Sequence, residues 1–261
     1  MTSEGSPTPC VKETCVFLTE YGARLLAAGA TCIRIEKNVS RMAHAYGMCA
    51  EMTVMPRHIH LTLTDIHSGD MITSTAAVRD TGANFAVNTG LSRLSWEIAD
   101  GRIDFGEALR RYHDIITSNR QNPWGVLLLV SLANAAFCRL FGGDVYAMAI
   151  TGMATLAGFR IRQLLLGRSV DIRLVFIICS FVSSVLGATG ILFSIGSTPA
   201  IALGTSVLYL VPGIPFLNSF SDMLCRHYLC AFSRFADALV LTCCLSIGLC
   251  AGVWLMNANM F

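Results

Sequence analysis

Pro212 and Pro215 stand three residues apart, with Gly213 and Ile214 between them, in an apolar run from Pro199 to Leu217. Each proline removes a backbone donor and its ring clashes with the preceding turn, so a continuous helix is not expected through Val211-Pro212-Gly213-Ile214-Pro215. Counted from Pro199, the break comes ~20 Å along a helix rising 1.5 Å per residue, which is inside a bilayer. Broken helices survive at that depth only where they face protein or a wet cavity. There the positive end of the second half-helix suits a carboxylate, the arrangement that builds substrate sites in secondary transporters. Asn218 and Asp222 follow at i, i+4 spacing and share a face. An acid at this depth suits substrate binding or a proton relay. The competing reading is a structural proline kink followed by an interfacial Asp.

Other polar residues in apolar surroundings are weaker candidates. Asn134 falls in the middle of an apolar segment and must bond either a neighbouring helix or a substrate. Arg160 and Arg162 lie near the end of another; they can snorkel to headgroups or line the interior and attract an anion. Ser183 and Ser184 read as inter-helix contacts, and Gly248-x-x-x-Gly252 allows close helix packing. His58, His60 and His67 invite a metal reading, as do Cys225, His227 and Cys230. Neither set has the supporting ligands a zinc site needs; an exposed strand face and a short cytoplasmic turn explain them equally well. The G-x-S-x-G, H-E-x-x-H, P-loop and G-x-G-x-x-G patterns are all missing, which argues against hydrolase and nucleotide-dependent chemistry. No catalytic residue, metal or cofactor is assigned.

The elements that must position these residues follow from composition. The 261 residues are 54% hydrophobic and 14% charged, with net charge +2; average soluble domains carry roughly 25% charged residues. This excludes a fully soluble enzyme, a disordered chain and a nucleic-acid binder. Charge is also unevenly distributed. Residues 1–120 hold 12 Lys+Arg and 13 Asp+Glu, whereas 121–261 hold 7 and 4, and Leu174–Ser221 holds none. The expected organisation is a cytoplasmic N-terminal α+β domain over 1–120 and a transmembrane helical bundle over 121–261. Five spans are expected: about Trp124–Phe141, Val145–Leu165, Ile172–Ile195, Pro199–Leu217 (Thr198 as N-cap) and Phe235–Met256.

Arginine placement orients them. Arg110, Arg111 and Arg120 precede the first span. Arg160, Arg162, Arg168 and Arg173 cluster around the link between the second and third, and Arg226 and Arg234 lie before the fifth. Arg139 alone is discordant. The N-terminus is therefore expected in the cytoplasm and the C-terminus, Asn257–Phe261, outside. Met1–Val11 lacks the basic and apolar regions of a secretory signal. Seven of the 11 cysteines lie in or beside apolar segments and are expected to be free thiols.

Within 1–120, two helices are expected over 12–48, broken at Ala28-Gly29-Ala30. A β-textured stretch over 51–79 follows, with His58–Leu63 alternating and Met71–Val78 returning after the Ser68-Gly69-Asp70 turn. Helices at Asn84–Ala99 and Asp104–Thr117 complete the domain, the second opened by a capping box of Asp104 and Glu107.

Ser197-Thr198-Pro199-Ala200-Ile201-Ala202, the run from Ser206 through Val211-Pro212-Gly213-Ile214-Pro215-Phe216-Leu217-Asn218, and Asp222-Met223 together resemble the threonine/serine exporter family. Leu25-Leu26-Ala27-Ala28-Gly29-Ala30, Arg34, Glu36, Arg79, Asn84, Gly101, Glu107-Ala108 and Phe159–Leu165 agree. The resemblance implies a membrane exporter with a cytoplasmic N-terminal domain. Full-length members carry ten spans in one chain. Five spans here imply a separate small membrane subunit in the bacterial inner membrane, and succinate or a related C4-dicarboxylate as substrate. Threonine or serine is the rival substrate. A regulatory or scaffold subunit, whose partner alone transports, is the rival role.

Overall fold

The computed structural model describes residues 10–79, 82–117 and 122–256. The tail before Cys10, Arg120, the expected 120/121 boundary and the tail Asn257–Phe261 lie outside them. Among the described residues the chain is mostly helical with a small sheet: α1 (Val11–Ala27), α2 (Cys32–Ala45), β1 (Met48–Val54), β2 (His58–Asp65), β3 (Met71–Ala77), α3 (Phe85–Ala99), α4 (Phe105–Thr117), α5 (Pro123–Leu140), α6 (Val145–Gly167), α7 (Ile172–Leu192), α8 (Pro199–Thr205), a 3-10 turn (Leu208–Leu210), α9 (Gly213–Leu224) and α10 (Tyr228–Leu255). Among the described residues these form two compact units, one from 10–117 with 214–236, the other from 122–213 with 237–256.

In the first unit, α1 stops where the sequence places Ala28-Gly29-Ala30. Gly29 adopts φ +85°, a left-handed conformation that costs glycine little. Its N–H then reaches Leu26 O and the Ala30 N–H reaches Leu25 O, the paired bonds of a Schellman stop. The strands form an antiparallel sheet in the order β1-β2-β3, with Ala50 opposite Leu63 and Leu61 opposite Ser74. Period-two alternation sends Ile59, Leu61 and Leu63 inward, fully buried, and leaves His60, Thr62 and Thr64 on the other face. These inward residues pack against Leu18, Leu25, Ile35, Val39 and Met42 of α1 and α2 and Leu91 of α3. Tyr21 is buried in this core; its hydroxyl donates to Leu91 O (2.8 Å) and accepts from Asn38 Nδ2 (3.1 Å). Asn84 caps α3 through the Ala86 and Val87 N–H groups. Only half of the expected capping box forms. Asp104 accepts from the Glu107 N–H, but the Glu107 carboxylate turns to Arg110 and Arg111.

In the second unit, side chains just ahead of the helices cap them. Asn122 bonds Trp124 N, Asp144 bonds Ala147 N and Asp171 bonds Arg173 N. Gly248 and Gly252 of α10 seat on α7, where a side chain would collide with Ser180 and Ser184. Leu128, Leu129, Leu132 and Phe137 of α5 are exposed, an apolar face that suits lipid. By length and composition α5, α7 and α10 can each cross a membrane, and the pair Pro199–Leu210 and Gly213–Leu224 raises the number to four if it is one broken span. Helix α6 has 23 residues but carries Arg160 and Arg162 and falls short in apolarity. The last helix begins at Tyr228, seven residues before the expected Phe235.

Candidate functional site

The helical run breaks at the expected prolines. The 3-10 turn ends at Leu210, and α9 starts at Gly213, whose N–H bonds Val211 O at 2.8 Å. Pro212 is buried, and Gly213 and Pro215 are half-buried.

In the second unit, Asn134 of α5 organises a polar seam. Its Nδ2 donates to Thr155 Oγ1 (2.6 Å) and to Thr205 O (3.1 Å). The second bond satisfies a carbonyl at the end of α8, which has no i+4 partner because the helix stops there. Thr151 and Thr205 share a hydroxyl bond of 3.0 Å, and Thr155 donates to Thr151 O. Ser183 and the Tyr209 hydroxyl meet at 2.9 Å. Gly158 makes room for that pair, since a Cβ there would collide with both oxygens. Asn134 was legible in the sequence as a lone amide in an apolar segment. Thr151, Thr155, Thr205 and Tyr209 were not, because threonines in apolar helices ordinarily bond their own preceding turn.

The two arginines of α6 differ. Arg160 lies 4.3 Å over the Trp124 ring and donates to Gln163 Oε1 at 3.3 Å. The Arg162 Nε is buried without a hydrogen-bond partner among the described residues. Its guanidinium lies 5.6 Å from the Phe159 ring, within electrostatic reach of Cys179 and Tyr209. Neither arginine forms an ion pair with a described residue.

Asn218 and Asp222 lie in the first unit, on the α1–α2 turn. Helix α2 has no side-chain cap from Thr31 and no acid in its first turn. Asp222, fully buried, supplies that charge from α9: its Oδ1 accepts the Cys32 N–H at 2.8 Å, at the positive end of α2. Its Oδ2 stands 3.1 Å from Arg234 Nη1, and Arg234 Nη2 donates to Ala30 O at 2.7 Å. Asn218 Nδ2 donates to Gly29 O at 2.8 Å. The turn is thus held at Gly29, Ala30 and Cys32; Asp222 Oδ1 is hydrogen-bonded, while Oδ2 is ion-paired with Arg234 Nη1 without a hydrogen bond among the described residues. Around this latch, His227 pairs with Glu36 at 3.4 Å, Ser219 donates to Ala231 O, and Cys230 Sγ donates to Val54 O. The adjacent Cys230 thiol, together with burial, pushes the Cys32 thiol well above its ordinary range. Sequence reasoning paired Asn218 with Asp222 but missed Arg234 and the turn. Their contacts join positions about 190 and 204 residues apart.

Of the suggested metal ligands, His60 Nδ1 bonds Thr75 Oγ1 at 2.9 Å, and His58 and His67 are exposed. Cys225 is exposed, while His227 and Cys230 serve the latch. Among the described residues no group of three or more His, Cys, Asp and Glu side chains could hold a metal ion. All eleven cysteines are free.

The family model described as "Putative threonine/serine exporter" (ThrE) matches residues 16–256. The chain is 30% identical over 249 residues to "Probable succinate transporter subunit YjjP" of Klebsiella aerogenes, covering 95% of each chain. It is 31% identical over 241 residues to the protein of the same description from Escherichia coli K12, covering 90% of this chain and 92% of that one. No solved structure matches. The match spans both the α1–α2 turn and the proline break, and on it the chain belongs to the threonine/serine exporter family.

Proposed function

We propose that this chain is a subunit of an inner-membrane exporter of a small carboxylate, succinate or another C4-dicarboxylate, and that it acts with a separate small membrane subunit similar to YjjB. In this reading residues 1–120 form a cytoplasmic α+β domain and 121–261 a five-span membrane domain, with α6 as the second span and α8 to α9 as the broken fourth. The N-terminus is cytoplasmic and the C-terminus periplasmic, as the arginine distribution favours.

Arg162 carries the reading. A guanidinium among apolar helices is costly unless paired, and its Nε has no partner among the described residues. A substrate carboxylate supplies the missing acceptor, in the bidentate geometry for which arginine is suited. Ser183 and Tyr209 offer hydroxyls for orientation, and Arg160 attracts the anion. Pro212, Gly213 and Pro215 create the break about which access alternates. Asn218 and Asp222 anchor α9 beyond it. The scarcity of acids in the second unit supports this choice of substrate. Its described acids are Asp144, Asp171 and Asp237, and the first two cap helices. A threonine or serine ammonium therefore has little to pair with, whereas a dicarboxylate needs none. The names of the two relatives support the same choice.

Succinate flux in vesicles holding both subunits tests this. Arg162→Gln is expected to lose more than about tenfold of the flux, as removal of a charge-assisted bond predicts, and Arg162→Lys to retain part of it. Unchanged flux in Arg162→Gln, or in Pro212→Ala, sinks the site assignment. Threonine flux in place of succinate establishes the amino-acid reading, and flux from the partner alone makes this chain a scaffold.

A further inference from the structure

The first unit holds a groove of about 840 Å³ that the transport reading does not use. One wall is α2, with Lys37, Ser40, Arg41 and His44 on a common face; the floor includes Ala50 and Met52 of β1. Strand β1 is an edge of the sheet. The Met55 N–H bonds His58 O, and the Ile66 N–H bonds Gly47 O. Antiparallel alternation therefore turns the odd residues of β1 toward β2 and the backbone N–H and C=O of Ala50 and Met52 away from it. These four groups have no partner among the described residues. The edge is closed at one end, where Val54 O accepts Cys230 Sγ, and open at the groove.

We propose that this groove binds a short, extended, acidic segment of a partner protein, which adds to β1 as a fourth strand across Ala50 and Met52. Unpaired edge groups are the template for strand addition, and the cationic wall sets the chemistry of the guest. Arg41 is held in place over the Trp96 ring at 3.6 Å, with Nη1 donating to Ser95 Oγ at 2.8 Å. Glu36, the acid of the wall, stands 3.4 Å from His227 Nε2, which offsets its charge when protonated, and the two cations outnumber it. Lys37 and Arg41 are left to meet carboxylates, with His44 one turn further. A second copy of the chain fits less well: self-pairing about the same residues sets Glu51 against Glu51, and like charges directly opposite destabilise a sheet.

The test uses the full chain in detergent and a fluorescent, end-blocked pentapeptide, Val-Asp-Val-Glu-Val, followed by anisotropy. Saturable binding is expected. N-methylation of the aspartate nitrogen, which faces β1 when an antiparallel guest sets both acids on the α2 side of the sheet, and Lys37→Glu should each weaken it about tenfold, the effect of one net hydrogen bond or charge contact. Met52→Pro, which removes an edge N–H, should do the same. Absence of binding, indifference to N-methylation, or equal binding of Val-Lys-Val-Lys-Val overturns the proposal.

Discussion

Asp222→Asn isolates charge from shape in the latch on the α1–α2 turn. The amide oxygen can still accept the Cys32 N–H, but the countercharge to Arg234 is lost. Arg234 is only 17% exposed and Asp222 is fully buried, so water does little to compensate. Breaking a buried ion pair by removing one partner costs about 3–5 kcal/mol. The low end applies here, because Arg234 keeps its bond to Ala30 O. About 3 kcal/mol corresponds to roughly 6–12 °C in melting temperature at 2–4 °C per kcal/mol. The double variant Asp222→Asn/Arg234→Met removes both charges and should recover more than half of the loss, because the penalty lies in the unpaired charge. Thermal unfolding of the purified protein and thiol labelling of the buried Cys32 read the effect: the single variant should label faster, the double more slowly. If Asp222→Asn abolishes flux while melting and labelling stay as in the wild type, the latch is refuted and Asp222 belongs to the transport chemistry.

Three further outcomes are expected. Gly158→Ala should cost about 1–3 kcal/mol by overpacking and separate Ser183 from Tyr209, with flux falling further than in Ala154→Gly. Asn134→Leu should destabilise the second unit by about 1–2 kcal/mol, since Thr205 O loses its donor, as thermal unfolding in detergent would register. The N–H groups of Ala147 and Ser197 hold the Asp144 carboxyl below its ordinary range. A lowered folded pKa means that its contribution is full above the ordinary carboxylate range and is lost as pH falls through the lowered value. The acid limb of a stability–pH profile should therefore flatten in Asp144→Asn.

Local chemistry made much of the fold legible in advance. The α1 stop at Gly29 needs only a residue that tolerates positive φ, and the break at Pro212 needs only missing donors and a ring clash. Alternation in β2 and the helix over Asn84–Ala99 likewise depend on neighbours within a few residues. β1 was harder to place. It starts at Met48, before the β-textured stretch, because its inward residues Ala50 and Met52 gain strand character from pairing with Leu63 and Leu61 rather than from their own propensity. The length of α10 was also missed: its first turns carry Ser233 and Arg234, polar residues that read as a link until Arg234 finds Asp222 and Ala30.

For the candidate site, sequence determined which residues are chemically unusual: a double proline in an apolar run, an amide and two arginines among apolar side chains, and a scarce acid at 222. Their partners were decided by the tertiary structure. Asp222 caps a helix that begins at residue 32, Asn134 takes a carbonyl freed at 205, and Arg162 keeps an Nε without a partner among the described residues. The reason is physical. Helix stops and strand alternation depend on local sterics and periodicity. The fate of a buried charge depends on which distant dipole or countercharge the chain folds against it.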